Sequence, residues 1–339
     1  MSFIDLPADV VSDAARSGAA LPQVTLPSCV PALVPAYRKR LTTLHDVCRV
    51  RMYDDSITDG KEFLRRVEGA DLAVIAGFHI ADDVLRRMAG RVRCLVFSGT
   101  GIASFVNVPL ARELGVTLCN AEHYGDASVA EHAVALLFEI ARRVGRQNAS
   151  LHAGDWFDEG GMLQLEGLTI GLAGFGGVGQ AVARIADGLG MRVKVWCRHP
   201  DPALLARYRA ESVPTLADLF ASSDVVSLHL ALNEATRGMI GPRELDLLRP
   251  GSILINTARA ELIAPGALVE RLSCGDVQAG VDVYDHEPLA PDDPILALGN
   301  VVATPHTAWK TARALDNVAA QNAETIRAFY AGAPEHVVA

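Results

Sequence analysis

One stretch limits what this chain can fold into: Leu168-Thr-Ile-Gly-Leu-Ala-Gly174-Phe-Gly176-Gly-Val-Gly179. An apolar run leads straight into glycines spaced Gly174-x-Gly176-x-x-Gly179. An amphipathic stretch follows, with Val178, Val182, Ile185 and Leu189 on one face. Gly190 ends it, and a second apolar run begins at residue 193. Strand, tight turn, helix and strand within ~30 residues make a βαβ unit, and a βαβ unit implies a parallel sheet. The spacing gives each glycine a task. Gly174 makes the tight turn. Gly176 removes the side chain that would hold the backbone away from a pyrophosphate. Gly179 lets helix and strand pack closely. The free N–H groups and the dipole of the helix N-terminus favour an anion. Gly174, Phe175, Gly176, Gly177, Val178 and Gly179 are therefore assigned to the diphosphate of a dinucleotide.

The end of the second strand selects the dinucleotide. An NAD site places Asp or Glu there, ~20 residues past the turn, to hold the ribose 2′-hydroxyl. Here the strand ends Val195-Trp196-Cys197-Arg198-His199, and the next carboxylate is Asp201, between two prolines. Arg198 and His199 stand where a 2′-phosphate would lie, and a guanidinium suits a phosphate in shape and charge. The residues favour NADP over NAD. The plain alternative is that Arg198 is a solvated surface charge.

The remainder fits the same architecture. Short apolar runs at 72–76, 94–97, 116–119, 168–173, 193–196, 225–230, 252–256, 277–283 and 301–304 read as strands buried on both faces. They alternate with longer amphipathic stretches, which predicts an α/β fold with parallel sheets. A chain of 339 residues implies roughly two domains. Helices are expected at 128–144, capped by Ser128 with Glu131 three residues on, and at 312–330. Residues 1–36, proline-rich and without periodicity, read as a surface extension or a partly disordered one. With 31 basic and 40 acidic residues the net charge is −9, so the basic excess of a phosphate-backbone binder is missing and no nucleic-acid partner is expected. Six scattered cysteines without CxxC spacing read as buried free thiols of a reducing compartment. No stretch approaches the ~18 apolar residues of a membrane span, and Asp5 and Asp9 stand where a secretory signal needs cations. A cytoplasmic protein with no membrane partner is expected.

Ligands of open α/β sheets bind outside the carboxyl ends of the strands. Past residue 256 come Thr257-Ala258-Arg259. Past 283 come Tyr284-Asp285-His286-Glu287-Pro288. Past 304 come Pro305-His306. One Arg, one Glu and one His thus converge on one rim. Hydride transfer to a 2-keto acid needs a cation to hold the carboxylate and polarise the carbonyl. It needs a group titrating near neutral pH to protonate the new alkoxide, and a carboxylate to orient that group and favour its protonated form. Arg259, His306 and Glu287 would fill these roles in that order. Singly, each has a plain structural reading as an ion pair, a loop or a turn. No HxxxH or HExxH spacing supports a metal, and none is expected.

These motifs together resemble the D-isomer-specific 2-hydroxy-acid dehydrogenase family. The likeness runs from about residue 71 to 338. It includes Ser128-Val-Ala-Glu-His132, Gly154-Asp-Trp156, Ser223-Asp-Val-Val-Ser-Leu-His-Leu230, Thr236-Arg-Gly238, Ile255-Asn-Thr-Ala-Arg259, Asp282-Val-Tyr-Asp-His-Glu-Pro288 and Thr304-Pro-His-Thr-Ala-Trp309. The resemblance implies two Rossmann-like or flavodoxin-like α/β domains with the active site in the cleft between them. The dinucleotide domain would be 120–305, and 1–119 with 306–339 the substrate domain. It implies NAD(P)H-dependent reduction of a small 2-keto acid to the D-2-hydroxy acid, with Arg259, Glu287 and His306 catalytic. His229, Thr257 and Ala258 would line the cofactor, and Asp282 would hold the nicotinamide amide. Backbone N–H groups of Gly77-Phe78-His79 and Gly99-Thr100-Gly101 would hold the substrate carboxylate. A homodimer joined through the nucleotide domain is implied, with the 128–144 region contributing. Trp196-Cys-Arg198 and Trp309 are similar to NADP-preferring glyoxylate and hydroxypyruvate reductases.

The sequence departs from the family pattern at Gly101-Ile-Ala-Ser104, Ala231, Ala260, Ala264 and His336, none of them in the Arg–Glu–His set. Glu287 argues against a formate dehydrogenase, which resembles this family but carries Gln there. A phosphite dehydrogenase keeps the same three residues, so it stays an alternative. A dinucleotide-sensing corepressor is the alternative from outside enzymology.

Overall fold

The structure, a computed structural model, describes residues 3–6, 21–156 and 160–339. They fall into two units. One runs to Gly125 and resumes from Lys310 to Ala339. The other spans Asp126–Trp309. The chain crosses between units a few residues later, at both places, than the expected 119/120 and 305/306.

In the first unit the strands are β1 (Phe3–Leu6), β2 (Gln23–Ser28), β3 (Arg49–Tyr53), β4 (Leu72–Ile75), β5 (Cys94–Phe97) and β6 (Thr117–Cys119). Their order is β1-β3-β2-β4-β5-β6. Strands β2 to β6 are parallel, and β1 lies antiparallel on the edge. The expectation of a surface extension over 1–36 is therefore corrected for residues 3–6 and 21–36; its remainder, 1–2 and 7–20, lies outside the described residues. β2 is an interior strand with Val24 and Leu26 fully buried, and the helix Val34–Leu41 buries Tyr37 and Leu41. Thr25 and Ser28 are buried too, so polar residues mask the apolar run that marks the other interior strands. Pro27 cannot donate to a ladder, and the register against β4 shifts between Thr25 and Ser28, where the irregularity takes it up. β3 lacks an unbroken apolar run for another reason. Its Arg-Val-Arg-Met alternation belongs to a strand with one partly solvated side, not to an unbroken run.

The last helix, Ala312–Tyr330, has the expected bounds and is capped by Thr311, whose Oγ1 accepts from Ala314 N at 3.2 Å. It packs on the helix Val34–Leu41. Asn322, fully buried, donates from Nδ2 to Tyr37 Oη at 2.7 Å and to Ser98 Oγ at 3.0 Å, and the Tyr37 and Ser98 hydroxyls bond each other. A buried, shared polar cluster of this kind fixes one arrangement of the groups it joins. Here it fixes the start of the loop after β5.

The second unit carries β7 (Thr169–Ala173), β8 (Arg192–Trp196), β9 (Ala210–Ser212), β10 (Val225–Leu228), β11 (Ile253–Asn256), β12 (Gln278–Val281) and β13 (Val301–Ala303). All are parallel, in the order β13-β12-β11-β10-β7-β8-β9. The chain proceeds outward from β7 to β9, then returns to β10 and proceeds the other way. The reversal falls between β7 and β10, which opens a crevice at their carboxyl ends. β9, three residues long, was not legible as an apolar run.

The helix Asp126–Arg142 starts two residues before the expected Ser128 cap, which lies inside its first turn. Its apolar face, with Leu136, Leu137 and Ile140, covers β11 and β12. Gly280 permits this approach, because a Cβ there would lie 2.9 Å from both Ile255 Cδ1 and Leu136 Cβ. Each such buried Leu or Ile contributes about 1.5–3 kcal/mol. All six cysteines are free thiols. Cys29, Cys48, Cys94 and Cys119 are buried, but Cys197 is partly exposed and Cys274 exposed, which corrects the expectation for those two. Among the described residues no helix is long and apolar enough to cross a membrane. Among them, too, no group of three or more His, Cys, Asp or Glu could hold a metal ion.

Candidate active site

The glycine turn follows directly from the β7 register. Gly174, next after the last strand residue, has φ +100°, which glycine adopts without strain, and its amide donates to Trp196 O at 2.8 Å. A Cβ at Gly174 would lie 2.6 Å from His229 O. One at Gly179 would lie 2.5 Å from Gly174 O. Turn, helix and the end of β10 are thus in backbone contact. Gly176 differs, since nothing lies within 4 Å of where its Cβ would be. It is the N-cap of the helix Gly177–Gly188 and makes no side-chain cap bond, so the first-turn N–H groups face outward. Phe175 turns inward, edge-on to Tyr208 at 5.5 Å, and its carbonyl accepts from Gln180 Nε2 at 3.0 Å. Val178 packs on the same core. Open space before unsatisfied helix N–H groups fits a diphosphate.

Three more groups on this edge fit a bound cofactor. Both ring nitrogens of His229 and the Thr257 hydroxyl are buried without a hydrogen-bond partner among the described residues. Such groups are rare in native proteins because each costs about 1–3 kcal/mol. Burial pushes the His229 imidazole down to about 4, so at neutral pH it is uncharged and offers one donor and one acceptor. Arg198 and His199 lie two and three residues past β8 and are exposed, and Arg198 has no ion-pair partner among the described residues. Asp201 caps the helix Pro202–Arg207: its Oδ1 accepts from Ala203 N at 2.9 Å and Leu204 N at 3.3 Å. Among the described residues that follow β8, Asp201 is the first carboxylate, and one of its two oxygens serves this cap.

At the ends of β11, β12 and β13 the structure brings Arg259, Glu287 and His306 together. Asn256, the last residue of β11, clamps the turn that carries the arginine. Its Oδ1 accepts from Ala258 N at 3.0 Å and its Nδ2 donates to Arg259 O at 2.9 Å. Arg259 itself donates from Nη1 to Ala258 O at 2.6 Å, and its charge acts on Glu287. His306 Nδ1 lies 2.6 Å from Glu287 Oε2, while Glu287 Oε1 accepts from Tyr284 N at 3.1 Å. Burial alone would push the Glu287 carboxyl up. The hydrogen bond and charge of His306, the Tyr284 amide and the Arg259 guanidinium outweigh it and hold the group below its ordinary value. Both side chains remain about one third exposed, so the pair is reachable.

His306 adopts φ +49°, an uncommon conformation for a residue with a Cβ. Such a conformation persists where its surroundings over-determine it. Asp282 supplies that restraint. Its side chain is fully buried, and Oδ1 accepts from the Thr304 hydroxyl at 2.6 Å and from Thr307 N at 2.9 Å. Oδ2 accepts from Ala308 N at 2.9 Å. The loop carrying the histidine is therefore pinned on both sides of it, and Oδ2 keeps one acceptor position for a further donor. A carboxylate only accepts, so the Thr304 hydroxyl donates to Asp282 and must accept from His132, whose Nε2 is 2.9 Å away. Tyr284 closes the set by donating from Oη to Thr304 O at 2.8 Å.

Asn256, Thr304, Tyr284 and His132 were given no role in the sequence. Asn256 had a readable signal, since asparagine is depleted in strands and this one ends an apolar run. The other three act across 20 or more residues, which sequence spacing does not show. Of the proposed substrate residues, Phe78 turns its ring into the core against Phe63 at 4.5 Å, leaving only its backbone for a ligand. His79 is exposed and stacks on Phe105 at 4.3 Å. Gly77 has φ +75°. The Gly99–Gly101 loop is held by Thr100 Oγ1 donating to Ala121 O and Asn120 Nδ2 donating to Thr100 O, at 3.0 and 2.9 Å.

Comparison with known proteins identifies the family of the chain. Residues 134–308 match the family described as D-isomer specific 2-hydroxyacid dehydrogenase, NAD binding domain. A hydroxypyruvate reductase of Blautia hydrogenotrophica is 33% identical over 302 residues, covering 85% of this chain and 91% of that protein. A glycerate dehydrogenase of Methylorubrum extorquens is 32% identical over 289 residues, covering 82% and 88%. A crystal structure of a Thermus thermophilus protein superposes with a TM-score of 0.80 at 32% identity, over 94% of this chain and all of that one.

Proposed function

Given that the chain belongs to the D-isomer-specific 2-hydroxyacid dehydrogenases and is an oxidoreductase of that family, we propose that it reduces a small 2-keto acid of the glyoxylate or hydroxypyruvate kind to the D-2-hydroxy acid. The observation that carries this reading is the His306–Glu287 pair at 2.6 Å beside Arg259, at the carboxyl edge of a sheet built for a dinucleotide. The reduced nicotinamide supplies the hydride when bound. The chain's own groups do the rest. Arg259 binds the substrate carboxylate through its fork of donors and draws electrons from the keto oxygen. His306 gives the developing alkoxide its proton from Nε2, because Nδ1 is held by Glu287. Glu287, kept anionic, fixes the ring and stabilises its charged form before transfer. Backbone N–H groups of the Gly77–His79 and Gly99–Gly101 loops hold the carboxylate as well. The test offers NADPH and NADH separately against glyoxylate, hydroxypyruvate, pyruvate and phenylpyruvate, with nicotinamide absorbance followed. One keto acid turned over well above the rest supports the reading. Silence across the panel with cofactor bound would shift it to phosphite oxidation or a redox sensor.

The preferred cofactor in this proposal is NADP, held at its 2′-phosphate by Arg198 and His199. Arg198 is exposed without an ion pair among the described residues, and the next carboxylate, Asp201, caps a helix through Oδ1. Arg198→Ala should weaken NADPH by about tenfold to a hundredfold, one charge-assisted contact being worth roughly 1.5–3 kcal/mol. It should leave NADH nearly unchanged, and an equal loss for both would reject the phosphate role.

The protein is proposed to act as a homodimer joined through its second unit. Phe138, Val144, Leu151, Trp156 and Met162 are all exposed, Trp156 at 85%, and the helix Val144–His152 buries none of its residues. A run of exposed large apolar side chains marks an association surface. Sedimentation should show a dimer that Trp156→Glu with Leu151→Glu converts to monomer. A monomeric wild type would overturn this part.

A further inference from the structure

The bonds that hold the His306 loop begin on a residue that the proposed reaction does not use: His132, on the helix Asp126–Arg142. Leu136 and Ile140 follow it by one and two turns, so His132 shares the helix face that packs on β11 and β12. The close approach at Gly280, where a Cβ would lie 2.9 Å from Leu136 Cβ, sets that face against β12. Asp282 comes two residues after Gly280, and His132 one turn before Leu136. Packing therefore brings the imidazole to the carboxylate. His132 Nε2 lies 3.5 Å from Asp282 Oδ1 and 2.9 Å from Thr304 Oγ1. Among the described residues it is the only ion-pair contact of Asp282, whose side chain is fully buried.

The Thr304 hydroxyl has one proton and two acceptors in reach, Asp282 Oδ1 at 2.6 Å and Val281 O at 3.4 Å. An N–H from His132 fills a lone pair of that oxygen and turns the proton to the carboxylate. Donation into a hydroxyl also strengthens the bond that the hydroxyl gives. Asp282 is then held at Thr304, before His306, and at Thr307 N and Ala308 N, after it. All these residues belong to the second unit. Resting on the function proposed above, we infer that His132 is a positioning residue for the proton transfer: through Thr304 and Asp282 it keeps His306 in its φ +49° conformation. It acts through two intervening side chains and gives no proton itself. Without its donor the Thr304 hydroxyl is free to turn to Val281 O. Asp282 then keeps only its two amide bonds, and the uncommon backbone of His306 loses a restraint.

The test follows kcat, KM for hydroxypyruvate and NADPH affinity in the full chain, with melting temperature as the check on folding. His132→Phe keeps a ring and removes the donor. It should lower kcat about 10- to 30-fold, a misplacement of ~1 Å being worth up to about 100-fold, and leave KM and NADPH affinity within about threefold. His132→Gln returns an N–H to the place of Nε2 and should recover kcat to within about threefold of the wild type. His132→Asn, too short to reach Thr304, should lose about as much as His132→Phe, and replaces it in the comparison if the phenylalanine variant does not fold. Thr304→Val should also lower kcat, and His132→Phe with Thr304→Val should be no slower than Thr304→Val alone, because both break one series of bonds. If the donor-free variant keeps the wild-type kcat, if glutamine recovers nothing, or if the two losses multiply, the inference falls and the proposed reaction stands. If the wild type turns over no keto acid while NADPH still binds, the function proposed above fails and takes this inference with it.

Discussion

Arg259→Ala should leave a folded protein that binds NADPH and turns over almost nothing, with kcat/KM down about ten-thousand-fold. Two losses combine in that figure. The carboxylate loses a charge-assisted, two-pronged contact worth roughly 1.5–3 kcal/mol. The keto oxygen loses the positive charge that stabilises it as negative charge develops, typically a further 10²–10³ in rate. Together they come to about 5 kcal/mol of barrier. The fold should tolerate the change, because the turn is held by Asn256 bonding the backbone at Ala258 and Arg259, not by the guanidinium. Arg259→Lys should recover only a small part, since an ammonium brings the charge without the planar fork. A near-normal rate in Arg259→Ala with hydroxypyruvate would remove the arginine from the mechanism.

His306→Ala should lower kcat about a thousandfold while NADPH affinity stays within about twofold, general acid catalysis being worth 10²–10⁴. Glu287→Gln should cost less, about tenfold to a hundredfold, and mostly in kcat. It keeps a hydrogen-bond acceptor for His306 Nδ1 but removes the charge that stabilises the imidazolium. The pH dependence has a definite sign. Glu287 is held below its ordinary value in the folded protein, so the stability its pairing contributes is fully present above ~4.3 and is lost as pH falls through the lowered native value. The variant should therefore lose less stability than the wild type on acidification below that point. Full activity in His306→Ala would mean that the proton comes from elsewhere.

Much of this site was legible because its chemistry sits in local motifs. The glycine spacing with an apolar run before it and an amphipathic run after it specified the βαβ unit, and the Gly174 and Gly179 contacts show why no larger residue serves there. Arg259, Glu287 and His306 could be found by reading the few residues just past each apolar run. The strand ends are where parallel topology gathers ligands, so the positions of the strands mark these residues. Unread were the parts whose cause is tertiary. Thr25 and Ser28 are polar yet buried, so β2 looked like loop. Ser128 looked like a cap, yet the helix begins at Asp126. The positioning of His306 depends on Asp282 reaching Thr307 N and Ala308 N, 25 and 26 residues away.

The central claim is that this chain moves a hydride to the keto carbon of a 2-keto acid and adds the proton from His306. NADPH carrying deuterium at C4 in place of the transferable hydrogen, mixed with hydroxypyruvate and the purified protein, tests it most directly. The account predicts D-glycerate with deuterium at C2, formed stoichiometrically with NADP⁺ and lost in Arg259→Ala. Deuterium retained in the cofactor, or a product with ordinary hydrogen at C2, would contradict it.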